Sequence, residues 1–191
     1  MKKSLFAFVL FGLSILFQNC IMSEKAYYKE KDITSLPQIE GEWKAIENKL
    51  NSNLPHILII KQPSGGYTII SKESGDKPSK ADTNKNVTLF AVADSYYFDY
   101  LKSNEGDSSK PLHFLQEIKI NKDKLELLGI SSKDMQKMIY EKKLTLPYTK
   151  KEDGTIIFTA STDQLQSFLF FNKKNKNLFE KIGRLQKIKS N

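Results

Sequence analysis

The stretch VTLFAVADSYYFDYL, residues 87–101, is the strongest indication of the fold of this chain. Its two runs of β-branched and aromatic residues, 87–92 and 95–101, are separated only by Ala93 and Asp94. Two such runs joined by so short a turn are typical of an antiparallel β-hairpin. The stretch therefore predicts two neighbouring strands of an antiparallel sheet.

The second of these strands has one strongly aromatic face, because successive residues of a strand point to opposite sides. If the sheet closes into a barrel, inward aromatic side chains line a cavity for an apolar ligand. The candidate ligand-lining residues are Trp43, Tyr67, Phe90, Tyr96, Phe98, Tyr100 and Phe114. The alternative is an ordinary filled core, which the close packing of protein interiors favours.

Further strands surround this hairpin along the chain. Residues 56–61 and 67–71 are joined by a turn that contains Gly65 and Gly66, and residues 112–120 and 124–128 flank another short turn. A first strand opens at residues 41–43, Gly-Glu-Trp, and short apolar runs at 144–147 and 155–159 add two more. About eight short strands are expected in all.

The apolar spacing changes to a helical period in the last third of the chain. Residues 131–143 carry a stripe of Met135, Met138 and Ile139, and residues 161–164, Ser-Thr-Asp-Gln, fit a helix capping box. A last helix is expected from 178 to 188. The predicted fold is α+β: an antiparallel sheet, curled into a partial or closed barrel, with three mostly C-terminal helices.

The first twenty residues have the pattern of an export signal. Lys2 and Lys3 precede an apolar run at residues 5–17, and Cys20, the only cysteine, follows three residues later. Thirteen apolar residues are too few for a membrane-spanning helix, which needs about 20. The segment resembles a bacterial lipobox, so residues 1–19 are predicted to be a cleaved signal peptide and Cys20 to be lipidated. The alternatives are an ordinary signal peptide with a free thiol, or an uncleaved anchor.

The anchor determines the predicted location and domain organisation. Residues 20–38 are mostly polar and are expected to form the lipidated N-terminus and a flexible tether, while residues 39–191 form a single domain. The protein is expected to be exported and held on a bacterial membrane by the lipid on Cys20. Ile21 follows the cysteine in place of the aspartate that retains lipoproteins in the inner membrane, which favours the outer membrane.

Composition argues against several classes of function. The net charge is +8, but the lysines are dispersed among acidic residues and Arg184 is the only arginine. Nucleic-acid-binding proteins rely on arginine for bidentate contacts, so no nucleic-acid partner is expected. With Cys20 acylated, no thiol remains for disulfides, thiol catalysis or zinc–thiolate sites.

The few candidates for chemistry form no recognisable catalytic pattern. His56 and His113 are read either as a metal pair or general base, or as half-exposed strand residues, and the second interpretation is favoured. Asp94 and Asp99 are read either as paired carboxylates or, preferably, as turn and edge residues. No catalytic residue, metal or cofactor is therefore assigned, and a hydrolase is a distant alternative.

Five segments carry a resemblance to a known group of proteins. They are GEW at 41–43, SYYFDYL at 95–101, PLHFLQEIKI at 111–120, KLELLGI at 124–130 and IIFTASTDQLQSFL at 156–169. Together they resemble uncharacterised bacterial lipoproteins with a lipocalin-like domain of the calycin type. The resemblance implies a barrel-like lipoprotein and transfers no functional residue except Cys20.

The expected function is a non-catalytic, membrane-anchored binding or envelope protein that carries an apolar small molecule. The alternative is a structural or interaction lipoprotein that docks on an envelope complex or a host molecule.

Overall fold

The computed structural model describes residues 21–48, 56–72, 83–102, 110–175 and 177–188. Within these ranges the strands are β1 (Ile21–Ser23), β2 (Gly41–Asn48), β3 (His56–Lys61), β4 (Tyr67–Lys72), β5 (Thr83–Val92), β6 (Ser95–Lys102), β7 (Leu112–Asn121), β8 (Lys124–Ile130), β9 (Tyr148–Lys150), β10 (Ile156–Phe158) and β11 (Phe179–Lys187). The α-helices are α1 (Ser132–Tyr140) and α2 (Thr162–Asn172), and single 3-10 turns span Glu30–Asp32 and Pro37–Ile39.

Eight of the strands close into an antiparallel barrel. Strands β2 to β8 follow one another as a meander, β6 pairs with β7, and β11 pairs with both β8 and β2. The predicted antiparallel sheet is confirmed, and of the forms that the sequence leaves open, the chain adopts the closed barrel. The remaining strands β1, β10 and β9 extend the sheet from β7.

The hairpin of residues 87–101 forms as predicted. β5 and β6 pair from Val87–Tyr100 to Val92–Ser95. Ala93 takes a φ of 53° in the turn, and Lys122 takes 55° in the turn between β7 and β8. Such left-handed backbone matches the twist of adjacent strands in a two-residue hairpin turn. The three tight turns 62–66, 93–94 and 122–123 lie at one end of the barrel, which we name the tight-turn end.

The expected C-terminal helix over 178–188 is wrong, because these residues form β11. The strand closes the barrel, with Leu185 opposite Ala45 of β2 on one side and opposite Leu125 of β8 on the other. A register shift between Lys181 and Gly183 disturbs the two-residue alternation and gives the apolar residues a spacing that imitates a helix. Without β11, two strand edges would lack hydrogen-bond partners, so pairing outweighs local preference. The described residues thus contain two α-helices instead of three.

The expected flexible tether is also wrong for residues 21–38, which pack on the domain. β1 lies between β7 and β10, and Tyr27 is fully buried. Ile33 bridges to Phe90 of β5, and the backbone N–H of Leu36 donates to the Tyr67 hydroxyl at 3.0 Å. The polar composition of this segment is typical of a tether, but its scattered apolar residues Ile21, Tyr27 and Leu36 are buried against the domain. Residues 1–20 lie outside the described residues, so the signal peptide and the lipidation of Cys20 stay predictions.

Two hydrophobic cores lie on opposite sides of the barrel wall. The inner core takes residues from all eight barrel strands, with Trp43, Tyr67 and Phe98 among the largest. The outer core lies between the wall and the covering elements β1, β10, α1 and α2, and it contains Tyr27 and Tyr97. Neighbouring residues of one strand, such as Tyr97 and Phe98, therefore belong to different cores.

No helix within the described ranges has both the length and the apolar character that crossing a membrane requires.

Candidate functional site

The structure does not bring the seven candidate ligand-lining residues together in one cavity. Trp43, Tyr67 and Phe98 are buried in the inner core, whereas Tyr96 and Tyr100 are half-buried against it. Phe114 is half-buried and lies opposite Tyr100 in the strand register. Phe90 is on the other side of the wall, in the outer core, since its neighbour Leu89 takes the inward position.

The inner core is closely packed where its largest side chains meet. Trp43, Tyr67 and Phe98 are 0%, 1% and 1% exposed, and a cavity large enough for water would appear as accessible surface on such walls. The 3-10 turn Pro37–Ile39 closes this region, and the Trp43 Nε1–H donates to the Ile39 carbonyl at 2.7 Å. This part of the barrel is a filled core.

At the other end of the barrel the inner core is less tightly buried. Ile57, Tyr100 and Leu127 are half-buried there against the inner core. The Tyr100 hydroxyl donates to Gln116 Oε1 at 2.7 Å, and burial raises the pKa of Tyr100. Tyr100 therefore stays neutral, and the described residues at this end present half-buried apolar side chains beside the Tyr100–Gln116 pair.

A cleft of about 610 Å³ lies at the tight-turn end. We name it the Glu117 groove. Its walls are Gln38, Asp94, Ser95, Tyr96, Glu117, Ile118, Lys119, Ile120 and Lys122. Tyr96, Ile118 and Ile120 belong to the inner face of the wall, whereas Glu117 alternates with them and lies on the outer face with Tyr97 and Leu128, so the groove crosses the rim between the two faces. The groove thus combines apolar surface with a few charged groups, which is the usual make-up of a small-molecule site.

Glu117 is the chemically unusual residue of this groove. It is 5% exposed and lies between Tyr97 of β6 and Leu128 of β8, which are both buried. Burial raises the pKa of Glu117, and Lys119, whose Nζ lies 3.7 Å from Glu117 Oε1, together with a hydrogen bond from Ser95, offsets this only in part. A ligand that donates a hydrogen bond or carries positive charge would stabilise the ionised carboxylate in such surroundings.

A second, smaller cleft of about 260 Å³ contains a buried Asp–His pair. His113 Nδ1 lies 2.7 Å from Asp99 Oδ1, and Asp99, only 2% exposed, also accepts the backbone N–H of Tyr27 at 3.1 Å. In this cleft the Thr88 hydroxyl donates to that of Tyr28 at 3.2 Å. The contacts of Asp99 fasten the N-terminal segment to the barrel wall, which is a structural role.

The sequence interpretation of these residues needs one correction. Asp99 is not an edge residue, because β6 is paired on both sides and the carboxylate is buried, while Asp94 is in an exposed turn as expected. Both histidines are half-buried strand residues, which is the interpretation that the sequence favours. His113 is paired with Asp99, and His56 lies 3.5 Å from Glu42, so the two histidines have separate partners. Across the described part of the chain, no three His, Cys, Asp or Glu side chains group as a metal site requires.

Sequence reasoning found Tyr96 but missed Glu117 as a groove residue. In the sequence, Glu117 is followed by apolar Ile118 and then by charged Lys119. This alternation is typical of a strand on which Glu117 and Lys119 face solvent. Its burial depends on the outer core that flanks it, and this core forms only when distant segments cover the wall. The sign of a buried acid in the sequence is weak: Glu117 is the single acidic residue within the largely apolar run 112–120.

Comparison with protein-family models, with curated proteins and with solved structures finds no match to this chain. A function must therefore be inferred from the geometry of the chain itself.

Proposed function

We propose that this chain is an exported bacterial lipoprotein, anchored through Cys20 on the outer membrane, whose barrel domain binds a small amphipathic molecule without catalysing a reaction. The observation that carries the binding role is the Glu117 groove. Its volume of about 610 Å³ lies within the range of roughly 300–1,000 Å³ that is usual for ligand sites.

The make-up of the groove suggests the class of ligand. An apolar body would cover Tyr96, Ile118 and Ile120 on the inner side of the rim, and the head group would reach across the rim to Glu117. A positively charged or hydrogen-bond-donating head group would compensate the buried carboxylate of Glu117. We favour an alkylamine-like amphiphile over a fatty acid, because Glu117 is buried, whereas Lys119 and Lys122 of the same groove are exposed and solvated.

The anchoring part of the proposal is supported by the N-terminal sequence and by the position of β1. A lone cysteine follows a short apolar run with a basic start. Because β1 begins at Ile21 and is packed on β7 and β10, a lipid on Cys20 would hold the domain directly at the membrane surface, without a spacer.

The filled inner core favours a second candidate, an interaction lipoprotein. Trp43, Tyr67 and Phe98 leave no space for a ligand in their part of the barrel. A solid module of this kind would act by docking on an envelope complex or a host molecule, and the Glu117 groove would then receive part of the partner.

A displacement assay tests the binding role. The probe is a fluorescent alkylamine, compared with a fluorescent fatty acid of the same chain length. We expect saturable binding of the amine, and Glu117→Gln should weaken it about tenfold through loss of a charge-assisted hydrogen bond. The control is Glu152→Gln, an exposed acid outside the groove. Equal affinity of the two probes, or equal loss in both variants, would rule out the groove as the site.

The anchor is tested separately by Cys20→Ser. We expect an unprocessed precursor and loss of partitioning into the detergent phase. Normal cleavage and normal partitioning of this variant would refute the lipoprotein assignment while leaving the groove untouched.

A further inference from the structure

Two phenylalanines stand exposed at the C-terminal end of α2. Phe170 is 48% and Phe171 is 80% exposed, and their rings meet edge to face with centroids 5.5 Å apart. Large apolar side chains of this exposure are uncommon when adjacent, and they mark contact surfaces more often than scattered ones do.

The geometry of the helix shows that these rings are not part of either core. Leu165, Phe168 and Leu169 face the outer core and are buried. Successive residues of an α-helix are rotated by about 100°, so Phe170 and Phe171 point away from that face. The face of α2 that packs on the outer core therefore does not include Phe170 or Phe171.

Lysines accompany the two rings. The Lys173 ammonium lies 5.0 Å from the centre of the Phe170 ring, and exposed Lys174 follows it. Lys173 Nζ also lies 3.5 Å from Asp94 Oδ2. We name Phe170, Phe171, Lys173 and Lys174 the aromatic–basic patch.

The size of the patch argues against a protein partner. A Phe ring buries at most about 150–250 Å². The area that two partly exposed rings can bury thus falls far short of the roughly 800 Å² per partner that a specific protein interface needs. Insertion between lipid head groups requires no such area, because apolar side chains beside lysines bind bilayers through a few residues.

We propose that the aromatic–basic patch docks on a lipid bilayer with anionic head groups. The rings enter the head-group region, exposed Lys174 faces the lipid phosphates, and Lys173 lies between the Phe170 ring and Asp94. The positive charge of Lys174 beside the rings complements an anionic surface, and the apolar residues 5–17 with Cys20, outside the described structure, end next to Ile21.

This docking would determine which end of the barrel faces the membrane. Asp94, the partner of Lys173, is in the turn between β5 and β6 and lines the Glu117 groove. The groove and the patch therefore share the tight-turn end. A lipid-derived amphiphile would reach the groove from the bilayer without crossing the whole protein surface.

Depth-dependent quenching tests the proposal on the full chain in vesicles. Phe171→Trp is reconstituted in phosphatidylcholine with or without phosphatidylglycerol, and doxyl-labelled lipid is the quencher. The natural Trp43 is fully buried and gives a constant background. The matched control is Tyr140→Trp, because Tyr140 is 89% exposed on α1 and belongs to no patch.

We expect strong quenching of Phe171→Trp by shallow doxyl lipid, dependent on phosphatidylglycerol, and little quenching of Tyr140→Trp. Adding Lys174→Gln should weaken docking about fivefold, the effect of one lysine near an anionic surface. Adding Lys150→Gln, an exposed lysine of β9, should not.

Three outcomes would overturn the proposal. Co-sedimentation of both variants with vesicles, without preferential quenching of Phe171→Trp, excludes docking but leaves the proposed anchor intact. Loss of co-sedimentation for both excludes the anchor and docking together. A concentration-dependent blue shift of Phe171→Trp in lipid-free solution would instead identify a second copy of the chain as the occupant.

Discussion

The ammonium of Lys187 lies 5.3 Å from the centre of the Trp43 ring and donates a hydrogen bond to the Gln38 carbonyl at 2.8 Å. Lys187 and Trp43 are opposite each other in the register of β11 and β2, the strand pair that closes the barrel. One side chain near the C-terminus thus joins the last strand, the first barrel strand and the 3-10 turn before it. The contact combines a cation–π interaction with a charge-assisted hydrogen bond.

Lys187→Met should therefore lower the free energy of unfolding by about 1–3 kcal/mol, because both interactions are lost while the aliphatic stem is kept. Lys187→Arg should retain most of the stability, since a guanidinium also stacks on indole and donates hydrogen bonds. Urea denaturation followed by Trp43 fluorescence measures both. The control Lys124→Met removes an exposed lysine of β8. An equal effect of Lys124→Met would show that only net charge matters.

Three buried tyrosines differ in whether their hydroxyl groups are satisfied. Among the described residues, the Tyr27 hydroxyl has no hydrogen-bond partner and the Tyr97 hydroxyl has only a weak contact with the Ser95 side chain, whereas the Tyr67 hydroxyl accepts from the Leu36 N–H. Burial raises the pKa of Tyr97 to about 12, and the Ser95 contact offsets this only in part, so the phenol is neutral at ordinary pH. Tyr27→Phe should be neutral or raise stability, because it removes an unsatisfied buried group, and Tyr97→Phe should be close to neutral, because the contact that it removes is weak.

Tyr67→Phe is the matched comparison and should lower the free energy of unfolding by about 1–3 kcal/mol, since it leaves the buried Leu36 N–H unpaired. Thermal unfolding of the three variants measures these differences in stability. A loss of stability in Tyr27→Phe or Tyr97→Phe as large as that in Tyr67→Phe would indicate that internal water satisfies those hydroxyls.

Glu117 should make the protein less stable as the pH rises. Burial raises its pKa in the folded state, so the folded chain binds more protons than the unfolded chain between the unfolded and folded pKa values. Stability consequently falls as the pH rises through that window. Glu117→Gln, which cannot ionise, should raise the free energy of unfolding at neutral pH and flatten this part of the profile.

Asp32→Asn provides the comparison of opposite sign. Burial raises the pKa of Asp32, but hydrogen bonds from the Gln166 side chain and the Lys29 backbone outweigh it and lower the pKa overall. Its stabilising contribution is present above the unfolded pKa and is lost as the pH falls through the folded pKa. Asp32→Asn should therefore reduce stability at neutral pH. If both variants shift the profile in the same direction, the assigned environment of Glu117 is wrong.

The two glycines of the turn between β3 and β4 allow a prediction about backbone space. Gly65 and Gly66 have φ values of 83° and 76°, but a Cβ on Gly66 would lie 2.9 Å from the Val87 carbonyl oxygen, while one on Gly65 would meet nothing within 4 Å. Gly65→Ala should cost about 1–2 kcal/mol for the left-handed backbone alone. Gly66→Ala should cost more, because β4 must also move away from β5. Equal losses in chemical denaturation would contradict the register at Val87.

Local sequence signals predicted the elements whose contacts are short-range. The hairpin of β5 and β6 follows from alternation and a two-residue turn, and both α-helices begin where their capping residues predicted. The Ser131 side chain accepts the N–H of Asp134, and Ser161 and Gln164 form the capping box. These contacts span only a few residues, so they are visible in sequence.

Elements whose partners are distant in sequence could not be predicted in the same way. β11 pairs Leu185 with Ala45, and β1 pairs Ile21 with Ile156. Nothing within ten residues of either strand identifies its partner. The burial of Glu117 has the same origin, since it depends on Tyr97 and Leu128 being covered by the outer core.

The sequence by itself determined the antiparallel hairpins, the capped helices and the alternation of β6, because turn chemistry and side-chain period act over a few residues. The closure of the barrel through β11, the covering of its wall by residues 21–38 and the burial of an acid beside the groove follow from the tertiary structure. Closure removes open strand edges and burial removes apolar surface from water, and both gains arise only when segments that are distant in sequence meet, as Leu185 and Ala45 do.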